Sequence, residues 1–406
     1  MTTSNPGDPE ITTLTVGSIN LLTDAVLLSL SVYESIFAPA TICDITVLDA
    51  KDNIGQKRLV GGEKVVVEFK TDLSGSQPMK LDLVLDQASD TIAMGDQKSK
   101  IYTLKCVSPE AIYAKTNYVM KCYKDKLCSD MIKDLATTYL HTKKQIDLEP
   151  TKGTQVILIP NMNPYHAISL VKKRSVSSEN VSSVFVFYES REGNKQKYKF
   201  TTIEKLFKGS AVKQFTQSST KNTSIGSRTD NNIIAYKINH QADASTTVKN
   251  TRSSTVRYEL LTHSQQQNAK YVANPGRTGG TISTNPDLTN IINSAKHAPL
   301  SYFPSMFGVL PETHQSASNP NFMSYISALM QNSMRIRVPG DTILTAGAII
   351  DCSIPEKQGD PSSGKNEPML SGNFLISRIH HMIGDITQQP RYTCSIECLK
   401  AGYEKG

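Results

Sequence analysis

Four stretches of this chain carry residue types that could do chemistry at their spacing. Ser218-Ser-Thr-Lys221 has the Ser-x-x-Lys arrangement in which a lysine eases deprotonation of a nucleophilic serine. It sits in a run of Ser, Thr, Asn and Gln, and the chain contains neither Ser-Asp-Asn nor Lys-Thr-Gly, so the rest of an acyl-transfer site is missing. His380-His381 offers two imidazoles for a metal or a base. The pair closes a strand pattern in which neighbouring residues point to opposite faces, which keeps the two rings from sharing one ion and marks them as structural. Arg277-Thr-Gly279-Gly280 is glycine-rich, yet no strand precedes it and no Gly-Lys-Ser/Thr follows, so it reads as a turn and not a phosphate cradle. The seven cysteines (Cys43, Cys106, Cys122, Cys128, Cys352, Cys394, Cys398) include no Cys-x-x-Cys pair and most lie inside apolar strand patterns. They read as buried reduced thiols acting as small hydrophobes. The residues therefore nominate no catalytic set, no cofactor site and no metal site.

The elements around these stretches are mostly strands. From Thr12 to about Tyr113 apolar and polar residues alternate: Cys43, Ile45 and Val47 with Asp44 and Thr46; Val65, Val67 and Phe69 with Lys64 and Glu68; Leu81, Leu83 and Leu85 with Asp82 and Asp86; Tyr102, Leu104 and Cys106 with Thr103 and Lys105. After Cys122 the period changes. Ser129 or Asp130 caps a helix with Met131, Ile132, Leu135 and Tyr139 on one face, and Asn163-Pro164 opens another with Ala167, Ile168 and Val171. Val184 to Tyr188 and Tyr198 to Thr201 form a hairpin about the turn Arg191-Glu-Gly-Asn194. Gly209 to Asn232 reads as a polar linker, and strands resume at Ile233 to Ile238 and Ser254 to Leu261. From His263 to about Ala317 the chain is polar and turn-rich, long enough to be an insertion or a partner-binding arm. Asn319-Pro320 then caps a helix facing inward with Phe322, Ile326, Leu329 and Met330, and strands return at Arg335 to Val338, Ala348 to Ile354, Asn373 to His380 and Arg391 to Leu399.

A repeat runs across this order. Leu59-Val-Gly-Gly62-Glu-Lys-Val65-Val-Val-Glu-Phe69 and Leu344-Thr-Ala-Gly347-Ala-Ile-Ile350-Asp-Cys-Ser-Ile354 both place an apolar residue three positions before a glycine that opens a strand. The echo suggests one small β-module used twice, which suits an assembly part better than an enzyme.

Bulk properties set the class. With 406 residues, 38% hydrophobic and 20% charged, the chain supports two to four soluble domains without a disulfide or a metal. The apolar stretch Ala25 to Phe37 is too short to span a bilayer and is broken by Ser29, Ser31 and Glu34. No Lys or Arg precedes Lys51, so the basic region of a secretory signal is missing and the expected site of synthesis is the cytoplasm, with no membrane insertion. A net charge of +7 is modest for this length and the basic residues are scattered, which argues against nucleic-acid binding as the main task.

Several runs carry a family resemblance. Val338-Pro-Gly340-Asp341 with Leu344 and Gly347, then Leu370-Ser-Gly372-Asn-Phe374-Leu-Ile376-Ser-Arg-Ile379-His-His381, then Tyr392-Thr-Cys-Ser-Ile396-Glu-Cys-Leu399, resemble the C-terminal barrel of baseplate hub proteins of contractile-tailed bacteriophages, which are related to the hub part of type VI secretion spike proteins. Tyr33-Glu-Ser-Ile36-Phe-Ala-Pro39, Ile45-Thr-Val47-Leu-Asp49 and the Gly61-Gly62 turn look like the start of the first barrel. The resemblance implies a mainly β chain with an α+β insert: a first tail-tube-like β-barrel over 1–113, a small α+β domain over 114–222, a second barrel split between 223–262 and 334–406, and a loop-rich insertion over 263–333 with a helix at about 320–333. It further implies a homotrimer in the baseplate of the virion tail, in which six similar barrels form a pseudo-sixfold ring. The implied partners are a separate spike protein, the tail tube or a tube-initiator protein and baseplate wedge proteins, with tape-measure protein and DNA only in transit. Tight DNA binding in the lumen would hinder ejection, so neutral or acidic side chains are expected there, with Asp82 and Asp86 as lumen-facing candidates. The other readings are a distal tail or tube-initiator protein with a single barrel, a tail enzyme that degrades cell wall, and a receptor- or glycan-binding protein using residues 263–317.

Overall fold

The structure, a computed structural model, describes residues 9–50, 56–57, 59–71, 77–93, 100–179, 184–217, 231–240, 252–259, 264–271, 300–305, 329, 332–356, 366–367, 370–384 and 391–400. Strands dominate, as the alternating sequence patterns require. The first module comprises β1 (Pro9–Val16), the two-residue β2 (Ile19–Asn20), β3 (Val26–Ser35), β4 (Ile42–Asp49), β5 (Lys64–Thr71), β6 (Met79–Ala93) and β7 (Lys100–Val107). Apart from the β2 extension their spatial order is β3-β4-β7-β6-β5-β1, all antiparallel.

The chain then turns into a helix, Pro109–Thr116, where the sequence pattern suggested continued strand; Pro109 suits a first helical turn because its missing N–H has no intrahelical role there. This helix opens the α+β unit. In it β8 (Val119–Leu127) pairs with β10 (Thr154–Met162), and β11 (Phe185–Glu192) pairs with β12 (Lys195–Thr202), which takes β9 (Gln145–Leu148) on its far side. The two expected helices are present as Cys128–Asp134, continued by a π-turn to Tyr139, and as Pro164–Lys172, whose cap Asn163 accepts from Tyr165 N–H at 2.8 Å. Met131, Ile132, Leu135, Ala167, Ile168 and Val171 pack with Phe185, Phe187, Tyr198 and Phe200 in a core of their own.

The second module begins earlier than the polar composition suggested. Residues expected to be linker form β13 (Ala211–Thr216), which pairs in parallel with β19 (Ile349–Ser353) and buries Phe215. β14 (Ala235–His240) follows. β15 (Arg252–Glu259), expected in this barrel, instead pairs with β16 (Ser264–Tyr271) and β17 (Leu300–Ser305) in a separate three-stranded sheet, so part of the turn-rich insertion is strand. The expected helix at 320–333 lies largely outside the described residues; Leu329 is helical, whereas Asn332 already begins β18 (Asn332–Pro339). β20 (Gly372–Gly384) and β21 (Arg391–Leu399) complete the module.

The spatial order of the second module is β14-β18-β21-β20-β19-β13. Numbered in chain order within each module, both read second, third, sixth, fifth, fourth, first. The agreement extends to single hydrogen bonds. Gly62 N–H donates to Leu85 O at 2.8 Å and Leu85 N–H to Glu63 O at 2.9 Å; Gly347 N–H donates to Ile376 O and Ile376 N–H to Ala348 O, both at 2.9 Å. Both fifth strands then carry a bulge at the same place, between Leu85 and Gln87 opposite Cys106/Lys105, and between Ile376 and Arg378 opposite Cys398/Glu397. The echo seen in the sequence thus marks equivalent turns in duplicated sheets. One difference is real: β1 runs antiparallel to β5, whereas β13 runs parallel to β19.

The modules share one edge. β20 pairs beyond its bulge with β3, from Arg378 opposite Ser35 to Gly384 opposite Ser29, and the two sheets merge over a continuous apolar core. Gly62 and Gly347 hold φ of +90° and +84°, values that side chains other than glycine resist. A Cβ on Gly62 meets nothing within 4 Å, but one on Gly347 falls 2.0 Å from Tyr188 Oη. In denaturant unfolding, Gly62→Ala should therefore cost about 1–2 kcal/mol from backbone strain alone, and Gly347→Ala clearly more; equal losses would mean that the two turns are not constrained as described.

Candidate functional site

Three parts of the chain meet at one buried cluster. Arg191, in the last turnward positions of β11, reaches out of the α+β unit between the two modules. Its Nε donates to Glu34 Oε1 on β3 at 2.5 Å, Nη1 to Thr342 O at 3.0 Å and Nη2 to Leu344 O at 2.8 Å. Glu34 Oε2 accepts in turn from Thr345 Oγ1 at 2.7 Å and Ala346 N–H at 3.1 Å, and Ser190 Oγ donates to Ala346 O at 3.4 Å. One carboxylate of the first module and one guanidinium of the α+β unit together hold the turn that opens β19. Nearby, Glu189 on the same strand accepts from Thr41 N–H at 3.0 Å and from the Ser108 hydroxyl, while Lys144 Nζ bridges Glu189 and Glu110 at 2.6 and 2.8 Å. Strand β11 therefore pins each module with its own charged residue, Glu189 on the first and Arg191 on the junction of both.

The electrostatics follow from burial. Desolvation opposes ionisation of Glu34, yet the Arg191 charge and the hydrogen bonds from Arg191 and the Thr345 hydroxyl outweigh it and hold its carboxyl below the usual carboxylate value. For His381, burial is the main cause, with the Glu34 charge opposing it, and the imidazole is pushed down to about 3 and stays neutral. Its Nδ1 lies 2.7 Å from Tyr392 Oη and 3.2 Å from Cys394 Sγ. His380 points to the other face and stacks on Tyr33 at 4.2 Å between ring centroids. The two imidazoles are thus divided between faces, and no group of three metal-ligating side chains occurs among the described residues. Ser218, Lys221 and the Arg277–Gly280 turn lie outside the described residues. Six cysteines are buried and Cys122 is exposed. Burial raises the thiols of Cys106, Cys352 and Cys394 to about 12, which leaves them unreactive.

The face of the merged sheet turned away from its core is the second feature with functional content. Strand pairing aligns Ser31, Asp44, Lys105 and Gln87 across β3, β4, β7 and β6, and Lys237, Arg335, Glu397 and Arg378 across β14, β18, β21 and β20. The rows occupy equivalent positions but differ in charge. Asp44 and Lys105 balance in the first; in the second Arg335 and Arg378 share Glu397 at 3.3 and 3.6 Å, and Lys237 and Arg337 stand exposed beside them. Asp82 and Asp86 lie elsewhere. Asp82 is on the half of β6 that pairs with β5, 3.5 Å from Lys64 Nζ, with its N–H donating to Gln196 Oε1 of the α+β unit. Asp86 is the bulge residue and pairs with Lys115 Nζ at 2.7 Å. Sequence pattern alone missed Glu34 and Arg191; a charged residue at a core-facing position, Glu34 between Val32 and Ile36, was the available signal.

Removing one partner of a buried ion pair leaves the other charge uncompensated, so Arg191→Met should cost about 3–5 kcal/mol, read by denaturant unfolding. The two pKa shifts share a sign. His381 contributes stability that is full above about pH 6.5 and is lost as pH falls toward its folded value of about 3, and Glu34 adds a loss that sets in as pH falls through the ordinary carboxylate range. Stability should thus fall on acidification below pH 6.5, and His381→Gln should flatten that slope between pH 6.5 and 4.5; an unchanged slope would remove His381 from this account.

No protein-family model matches the chain, and no curated protein matches it by sequence. Solved structures do. A tail protein from Neisseria meningitidis MC58 superposes with a TM-score of 0.57 at 10% identity, covering 97% of this chain and 97% of that one. The 43 kDa tail protein of prophage MuSo2 from Shewanella oneidensis gives 0.53 at 10% identity over 97% and 98%. A chain of the half-lidded Francisella PdpA-VgrG complex gives 0.51 at 9% identity over 98% of this chain and 59% of that chain. The chain therefore has the mainly β fold of these tail and VgrG-complex proteins, the architecture that the resemblance in its sequence implied.

Proposed function

We propose that the chain is a hub subunit of a contractile phage tail, three copies of which close a pseudo-sixfold ring between the tail tube and the central spike, with tape-measure protein and DNA passing through. The observation that carries this reading is the duplication: two modules of identical strand order, with the same glycine turn and the same bulge, joined edge to edge within one chain. Three such chains supply six similar sheets, which suits a sixfold tube on one side and a threefold spike on the other. Two modules in a chain favour a hub over a distal tail or tube-initiator protein built on a single barrel. The similarity in fold to the Neisseria and Shewanella tail proteins supports a structural place in a virion tail. Spike, tube or tube-initiator and wedge proteins are the partners this role requires. No helix among the described residues is long and apolar enough to cross a membrane.

In such a ring the inner surface is the sheet face opposite the core, so the lining alternates between a balanced sector from the first module and a basic sector carrying Lys237, Arg335, Arg337 and Arg378. On this reading the lining departs from the neutral or acidic lumen expected, and the two aligned rows include neither Asp82 nor Asp86. Broken basic sectors give a passing polyanion no continuous track to bind. Native mass measurement of the purified protein across concentration should show a homotrimer of the 44.6 kDa chain; a monomer at high concentration, or measurable turnover of peptidoglycan, would count against the hub.

A further inference from the structure

The duplication predicts how two copies meet. Within one chain, the fifth strand of the second module, β20, pairs beyond its bulge with the second strand of the first module, β3. Past Leu85, whose backbone is bonded to Gly62 and Glu63, the equivalent fifth strand of the first module, β6, has no strand partner among the described residues on its outer edge, and the equivalent second strand of the second module, β14, has no strand partner among them on the edge away from β18. Both open edges leave core-facing positions uncovered. Ile379 is 2% exposed under β3, whereas its counterpart Ala88 is exposed; Val32 is 1% exposed under β20, whereas its counterpart Ile238 is 44% exposed. An exposed apolar edge strand is a template for pairing, and here the molecule itself contains the shape of the strand that fits.

Building on the hub reading, we propose that β6 of one copy pairs antiparallel with β14 of the next, with Ala88 opposite His240 and Ser89 opposite Asn239. The register is inherited from the joint within the chain. There Ile379 faces Glu34 and His380 faces Tyr33. Counting from the matching bulges, Ile379 and His380 correspond to Ala88 and Ser89. Counting from the pairings of β3 with β4 and of β14 with β18, Glu34 and Tyr33 correspond to His240 and Asn239. A second bulge in β6, after Ser89, has no counterpart in β20, so the equivalence carries the register through Ser89.

The two joints differ in how they are locked. Ala346 N–H is taken across the inner joint by Glu34, itself held by Arg191. The equivalent amide, Gly61 N–H, is already satisfied within its own turn by Glu63 Oε2 at 3.0 Å, and Val60 N–H by Glu63 Oε1 at 2.9 Å. The joint between copies therefore needs no carboxylate from the incoming strand and rests on backbone pairing and apolar cover, which makes it the first to open on dilution.

Disulfide trapping tests the register. In a Cys122→Ser background, which removes the exposed thiol, the pairs Ala88→Cys/His240→Cys and Ser89→Cys/Asn239→Cys are compared with the frame-shifted pair Ser89→Cys/Tyr236→Cys. Seven strand spacings of about 4.8 Å separate β6 from β14 within one chain, so a bond between them must join two copies. Mild oxidation should give reducible covalent dimers and trimers from at least one in-register pair, at about tenfold or more over the shifted pair. Mixing the single variants Ser89→Cys and Asn239→Cys should give dimers only, which guards against a misfolded double variant. Equal trapping by the shifted pair, or no trapping while native mass still shows trimers, would overturn the edge pairing and leave the hub reading intact. Monomers at every concentration would overturn both.

Discussion

The buried contact between Arg191 and Glu34 is the constraint around which the chain is arranged. Charges 4% and 1% exposed at their side chains are expensive to remove from water, and such a pair persists only when every remaining hydrogen-bonding position is met. Here the guanidinium spends its other donors on Thr342 O and Leu344 O, and the carboxylate its other oxygen on Thr345 and Ala346. Those four partners all belong to the second module, whereas Glu34 comes from the first module and Arg191 from the α+β unit. The cost of burying the pair is offset only when all three are correctly placed, which couples their relative positions to the stability of the whole. The α+β unit is thus a clamp, and its hairpin β11–β12 is the arm.

That clamp explains why a duplicated sheet can stay rigid while its two halves diverge. The apolar core tolerates substitution: Cys106 corresponds to Cys398, but Cys43 to Met334 and Val32 to Ile238. What is retained is backbone geometry, the positive-φ glycine and the reciprocal hydrogen bonds that follow it. The outer strand is the least conserved in geometry, antiparallel as β1 and parallel as β13. It pairs with neither β20 nor β3, the strands that join the modules, so reversing it leaves the joint undisturbed.

Much of this was legible in the sequence, and for physical reasons. Period-two alternation found most barrel strands because one face of each is buried, and the cap at Asn163 found one helix; the other was found by its apolar face, since it begins at Cys128 behind Leu127 and holds Ser129 and Asp130, the expected caps, inside its first turn. The Leu59 and Leu344 echo pointed to the duplication because a turn needing positive φ leaves a glycine behind. Strand β13 was hidden by its polar composition: only Phe215 is fully buried, and its pairing with β19 spans well over a hundred residues. Placing Ser254 to Leu261 in the barrel failed because alternation reports a strand without naming its neighbour. The Arg191 junction was beyond reach for the same reason, since its partners Glu34, Thr342 and Leu344 come from segments far from it in the chain and no local pattern links them.

The difference between the two joints bears on the order of assembly. A joint sealed by a buried ion pair forms only with the α+β clamp in place, so it belongs to the folding of the single chain. Its counterpart, in which Glu63 satisfies the turn amides beforehand, can form and separate without stranding a charge. On the proposed pairing of copies, folding and ring closure are separable steps: each copy can reach its native pairing of β20 with β3 alone, with the Val60 and Gly61 amides already taken by Glu63. Were the carboxylate shared across copies, as Glu34 is shared across modules, a lone chain would carry an unsatisfied turn and an exposed charge. On that proposal the duplication keeps the shape of the joint and changes what locks it, permanent within the chain and reversible between chains.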